Sequence, residues 1–157
     1  MRMDIRRLEL ELARQARRKR QAGMTLIELL TTLAIVGSLA GIAVPKYHEI
    51  ADAARVTQAI GDISAIQTTL DTRDSLPDNL AGIGQNLVDP WGNPYVYVKF
   101  PNGSPRVDRF GVPLNTTYDL YSVGKDNSTS GSLNSSVSFD DVVRANDGGF
   151  LGQGSRF

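Results

Sequence analysis

The sequence predicts an α+β fold: one long helix at the front, packed by its second half on a small antiparallel sheet. Three observations predict it. Residues 24–44 are an apolar run holding one carboxylate, Glu28. Apolar residues then recur at helical spacing as far as Leu70, where the pattern fails at 71–77 (DTRDSLP). Beyond that, short alternating stretches lie between Gly, Pro, Asn and Ser clusters, which is the pattern of short strands and turns. The expected organisation is a basic leader at 1–23, a helix at 24–74 and a head at 75–157.

The first 23 residues carry eight Lys or Arg against three Asp or Glu, net +5, and the remainder nine against fourteen, net −5. A basic segment ahead of an apolar span predicts a cytoplasmic front and an exported acidic remainder. The basic residues are thereby accounted for by topology, and no nucleic-acid partner is expected. No cysteine is present, so disulfides and thiolate metal sites are excluded. Leu8, Leu10 and Leu12 stand among charges in the leader, which reads as a solvated basic tail.

The 21 residues of 24–44 would make a helix of about 31 Å, close to the hydrocarbon thickness of a bilayer. A carboxylate at the centre of such a span costs roughly 2.5–3.5 kcal/mol on insertion scales, so Glu28 is a functional candidate. A plain single-pass anchor and a secretory signal cut near Gly41-Ile42-Ala43 are the competing readings, and the carboxylate fits the second poorly. Pro45 removes one helix hydrogen bond, and with Gly37 and Gly41 it loosens this half of the span. Past it, Ile50, Ala54, Ile60, Ile63, Ile66 and Leu70 form the expected packing stripe. His48, the only histidine, reads as an exposed helix residue.

In the head, 79–87 (NLAGIGQNL) predicts a loop or one helical turn; Gly82 and Gly84 are wrongly placed for a phosphate loop. Residues 89–95 (DPWGNPY) predict a tight turn that plants Trp91, the single tryptophan, against the core. Strands are expected at 95–100, 106–110 and 117–123, with a hairpin signal at 101–103 (PNG). The stretch 124–138 reads as a Ser/Asn/Gly loop. An EF-hand starting at Asp126 is excluded, because Val137 stands where the twelfth-position Glu is needed. Asp140 and Asp141 close the loop that Asp126 opens, and hard oxygen ligands gathered on a loop suit calcium. A solvated acidic loop without metal is the alternative. Three Asn-x-Ser/Thr triplets, at Asn115, Asn127 and Asn134, are expected by chance in so Ser/Thr-rich a tail. Phe150 and Leu151 are expected to dock on the sheet.

Gly23-Met24-Thr25-Leu26-Ile27-Glu28 resembles the prepilin motif of type IV pilins and of the pseudopilins of type II secretion. Residues 89–95 are similar to the DPWG-x-x-Y element of the major pseudopilin. The resemblance implies a pilin-like fold, cleavage after Gly23 by a membrane peptidase, and N-methylation of Met24, where the family usually has Phe. It also implies that Glu28 pairs with the terminal amine of Met24 on a neighbouring subunit and so sets filament register; the alternative is that Glu28 merely snorkels to the headgroups. Tyr121-Ser-Val-Gly-Lys-Asp126 and Ser138-Phe-Asp-Asp141 resemble the family's calcium segments. They imply a site made of the Val123 carbonyl, Asp126, Ser138 and Asp140, with Asp141 as helper. The function implied is a structural filament subunit and not an enzyme, since no nucleophile–base pair is present. The major pseudopilin of type II secretion is the first expectation. A type IV pilus subunit (adhesion, motility or DNA uptake) is the second, and a non-polymerising membrane-anchored periplasmic binding module the third. Implied partners are like subunits and minor pilins or pseudopilins, the prepilin peptidase, and an inner-membrane platform with its ATPase. The implied location is a single pass of the bacterial inner membrane with a periplasmic head, then a periplasmic or extracellular filament.

Overall fold

The structure is a computed structural model that describes residues 23–84 and 88–157. The proposed leader therefore lies outside the described residues, apart from Gly23. Helix α1 spans Leu26–Asp71 with Pro45 inside it. The chain divides into two compact units at Tyr47/His48, and each is described by itself.

In the first unit every described residue is exposed, including Leu26, Ile27 and Ile42, and the helix is long and apolar enough to cross a membrane. Three of its hydroxyls bond its own backbone: Thr31 Oγ1 donates to the Ile27 carbonyl (2.7 Å), Thr32 to Leu29 (2.9 Å) and Ser38 to Ile35 (2.8 Å). In hydrocarbon, where each unsatisfied polar group is costly, such bonds let Thr and Ser sit in a span.

In the second unit α1 continues to Asp71, and Ala59, Ile63, Ile66 and Leu70 are fully buried on one face at spacings of four and three. Ile63, Ile66 and Leu70 of the predicted stripe hold, and Ile60 is partly buried beside them. Ile50 and Ala54 do not join them: both are exposed, and Ala59 takes the stripe toward the N-terminus. His48 is exposed. Capped by Asn79, whose Oδ1 accepts from the Gly82 N–H (3.1 Å), a 3₁₀ turn forms at Leu80–Ile83.

The sheet has four antiparallel strands in sequence order: β1 (Val96–Lys99), β2 (Tyr118–Ser122), β3 (Val142–Ala145) and β4 (Phe150–Gln153). Register is fixed by pairs such as Tyr97 with Leu120, Ser122 with Val142, and Val143 with Gly152. The expected strands at 95–100 and 117–123 are β1 and β2. No strand forms at 106–110. The Arg106 N–H goes to Asp119 Oδ2 (2.6 Å), and Asp108 Oδ1 folds the next residues into a turn by accepting from Phe110 (2.7 Å) and Val112 (2.8 Å). Val107 makes only isolated bridges, to Pro113 and Ser132. The 101–103 turn therefore opens a long loop to β2 rather than a tight hairpin. Phe150 and Leu151 do more than dock: they start β4.

Both faces of the sheet are covered. Ala59, Ile63, Ile66 and Leu70 pack on Tyr95, Tyr118, Leu120 and Val142, with Trp91 and Tyr97 at the margin. On the opposite face Leu114 and Leu133, from the long loops, cover Val143 and Ala145. Tyrosine hydroxyls tie the sheet to the end of the helix: Tyr95 to Asp62 Oδ2 (2.8 Å) and Tyr118 to Asp71 Oδ1 (2.9 Å). Burial raises both phenols above the ordinary tyrosine value; at Tyr95 the Asp62 carboxylate adds to it, and at Tyr118 Arg144 opposes it while Asp71 adds to it, so both stay protonated donors.

Candidate functional site

Two regions hold the predicted site residues. The first is the start of the apolar helix. Gly23 and Met24 are exposed and precede α1, and Thr25 stands at its N-terminal edge. The Glu28 N–H donates to Thr25 Oγ1 (3.3 Å), while Glu28 Oε2 accepts from the Thr25 N–H (3.1 Å) and its hydroxyl (3.2 Å). This is a capping box, the reciprocal Thr-x-x-Glu arrangement that satisfies orphan N–H groups at a helix start. The Thr-x-x-Glu spacing that makes it is readable in the sequence. A carboxylate at the positive end of the helix dipole, held by two donors of its own chain, costs less in an apolar setting than an unpaired one.

The second region is the loop after β2. Gly124 has φ +72°, and a Cβ there would lie 2.6 Å from Asp140 Oδ2 and 2.7 Å from the Asp140 carbonyl oxygen, so only glycine fits. Asp140 Oδ2 accepts from the N–H groups of Lys125 (2.8 Å) and Asp126 (3.1 Å). Asp126 Oδ1 accepts from the Ser128 N–H (2.8 Å). Asp126 therefore meets Asp140 at one turn through its backbone N–H, and Val123 precedes that turn in the chain.

Ser138 and Asp141 do not join them. The buried Ser138 Oγ accepts from the Ser130 N–H (3.0 Å). Asp141, with 0% exposure, turns into the head, where its Oδ2 accepts from Arg106 Nη2 (2.6 Å) and Thr129 Oγ1 (2.7 Å). Burial pushes its carboxyl above the usual range, with Thr129 and Arg106 pulling the other way. The Arg106 guanidinium also lies 4.1 Å over the Tyr121 ring and gives Asp141 its counter-charge. Two adjacent aspartates thus have different tasks, one facing the loop and one the core. For calcium the fit is partial: Asp126 and Asp140 share one turn, Ser138 and Asp141 are engaged elsewhere, and among the described residues no group of three or more His, Cys, Asp or Glu could hold a metal. Lys125 ties the same loop to the helix through Asp52 Oδ2 (2.6 Å), and that bond holds the partly exposed Asp52 carboxyl below its ordinary value.

Comparison with known proteins bears on both regions. Residues 18–44 match the family model described as the prokaryotic N-terminal methylation motif. The type II secretion system core protein G of Pseudomonas aeruginosa is 34% identical over 143 residues, covering 74% of this chain and 92% of that protein. The chain belongs to the type II secretion system core protein G family. Its counterpart from Aeromonas hydrophila is 26% identical over 124 residues, covering 62% of this chain and 86% of that protein. A fimbrial protein of Pseudomonas aeruginosa is 43% identical over 54 residues, covering 34% of this chain and 35% of that protein. No solved structure matches. This pseudopilin- and pilin-like chain is a structural subunit of a pilin-like filament and not an enzyme, with an apolar N-terminal helix suited to a membrane.

Proposed function

We propose that the chain is a major-pseudopilin-type subunit of a type II secretion system, cut after Gly23, methylated at Met24, and polymerised through its apolar helix. The observation that carries the secretion reading is coverage: similarity to the core protein G runs through the head, over 92% of that protein, while similarity to the fimbrial protein covers 35% of it.

In the lipid-inserted subunit Glu28 is held by its own Thr25. On assembly its carboxylate meets the charged Met24 amine of a neighbour, since two desolvated opposite charges brought together avoid the cost of leaving either alone. That contact selects one axial register. The basic leader holds the front on the cytoplasmic side of the inner membrane and the head in the periplasm. A prepilin peptidase removes the leader, and a platform protein with its ATPase drives assembly, with minor pseudopilins as further partners. Calcium would be held by Asp126, Asp140 and the Val123 carbonyl, and would offset the two carboxylates and brace the loop.

Intact-mass spectrometry of the chain recovered from its native membrane tests the processing. The expected N-terminus is methylated Met24; an unprocessed chain, or one cut near Ala43, would contradict the filament reading.

A further inference from the structure

An asparagine side chain is an electrophile toward the backbone N–H of the residue after it, and attack closes a succinimide ring. The reaction needs that N–H to be uncrowded and unbonded. The fold closes this route at most of its asparagines. Asn93 precedes Pro94, which has no N–H. Elsewhere the N–H is already donated: Thr116, after Asn115, to Asp147 Oδ1 (2.9 Å), and Ser128, after Asn127, to Asp126 Oδ1 (2.8 Å). Likewise Ser135, after Asn134, donates to the Ser132 carbonyl (3.3 Å), and Asp147, after Asn146, to Asn115 Oδ1 (3.0 Å). Asn115 is buried as well, its Nδ2 shared between Asp119 Oδ1 and the Arg144 carbonyl. At Asn79 the amide oxygen caps the 3₁₀ turn, and Leu80 sets a branched side chain beside the N–H. Asn86 lies outside the described residues.

Asn102 is the exception. It is exposed in the turn after β1, and among the described residues neither its amide nor the Gly103 N–H has a hydrogen-bond partner. Asn102-Gly103 is also the single Asn-Gly pair of the chain, and glycine brings no side chain to crowd the attack. Packing fixes that glycine, because a Cβ there would overlap Val98 Cγ1 of β1. We infer that Asn102 is a site of spontaneous deamidation in the folded chain. Base removes the Gly103 proton as its nitrogen bonds to Asn102 Cγ; the Cγ–Nδ2 bond breaks, and Nδ2 leaves as ammonia. Water then opens the succinimide at either carbonyl, giving aspartate or, where the chain is left running through Cγ, isoaspartate. Either product carries a carboxylate, so the region after the leader, net −5, gains a negative charge as the subunit ages. Isoaspartate also lengthens the backbone directly before the close approach of Gly103 to Val98.

The test ages the detergent-solubilised full chain at mildly acidic and mildly alkaline pH, beside Asn102→Gln, whose longer side chain closes the ring far less readily. Peptide mapping with electron-transfer fragmentation locates the change and separates aspartate from isoaspartate, and isoelectric focusing reads the charge. The expected result is an acidic shift of one charge, located at Asn102, faster at the alkaline pH and absent from Asn102→Gln. Asn115, Asn127, Asn134 and Asn146 stay intact in the folded chain. Asn127 and Asn134, each followed by serine, begin to convert once guanidinium chloride opens the fold. A folded chain that converts at Asn127 or Asn134 as fast as at Asn102 overturns the inference. So does an Asn102 that stays intact in the aged folded chain, whatever the unfolded chain does.

Discussion

Replacing Arg106 by Met isolates the strongest polar contact in the head. Arg106 and Asp141 are 5% and 0% exposed and meet at 2.6 Å, so solvent screens them little. Arg106→Met leaves Asp141 with Thr129 as its remaining side-chain partner. Breaking a buried pair in this way costs about 3–5 kcal/mol, because an uncompensated charge stays behind. With a urea dependence of about 2 kcal/mol per molar, the unfolding midpoint falls by about 2 M. Trp91 fluorescence follows it, since that side chain packs at the edge of the helix-facing core. Burial already raises the Asp141 carboxyl, and losing the guanidinium raises it further. A folded-state value above the unfolded one favours the fold below it and penalises the fold as pH rises through it. The variant therefore recovers stability as pH is lowered from neutral toward the unfolded carboxylate range. Adding Asp141→Asn removes the stranded charge and recovers most of the loss at pH 7. A single-variant cost below about 1 kcal/mol, or a double variant that loses the sum of the two singles, would refute this account of the pair.

Ile63→Ala opens the stripe that α1 lays on the sheet, where Ile63 has no exposure, and should cost about 2–5 kcal/mol by urea unfolding; a cost under 1 kcal/mol would move the core elsewhere. Asp147 tests the acid side. Burial works to raise its carboxyl, but the Thr116 hydroxyl and N–H, then Arg144 and Thr117, hold it below its ordinary value. A depressed folded value stabilises above the unfolded value of about 3.9 and is lost as pH falls through the folded one. Asp147→Asn should thus lower Tm slightly at pH 6, and the gap should close by pH 2; a gap independent of pH would contradict it. The effect is small, because Asp147 is 39% exposed.

The elements that were legible in the sequence carry local signals. The end of α1 is written in 71–77, the turn at 89–95 in its Asp, Pro and Gly, and β2 in its aromatic and apolar residues. β3 and β4 carry no such signal. Each is four residues long, β3 is buried throughout, and Arg144 and Gly152 interrupt any alternation. Residues 106–110 alternate like a strand, yet Asp119, thirteen residues on, captures the Arg106 N–H. The candidate site divides the same way. Asp126 and Asp140 were readable as loop carboxylates. That Asp141 turns inward depends on Arg106, 35 residues earlier, and no spacing rule links the two.

The filament itself is tested most directly at Glu28. Cells carrying the complete assembly machinery are given either wild type or Glu28→Ala, and sheared filaments are counted by electron microscopy beside the membrane content of the chain. The account predicts wild-type amounts of the variant in the membrane and no filaments, since the apolar helix still inserts while the partner of the Met24 amine is gone. Filaments in wild-type number from Glu28→Ala would contradict it.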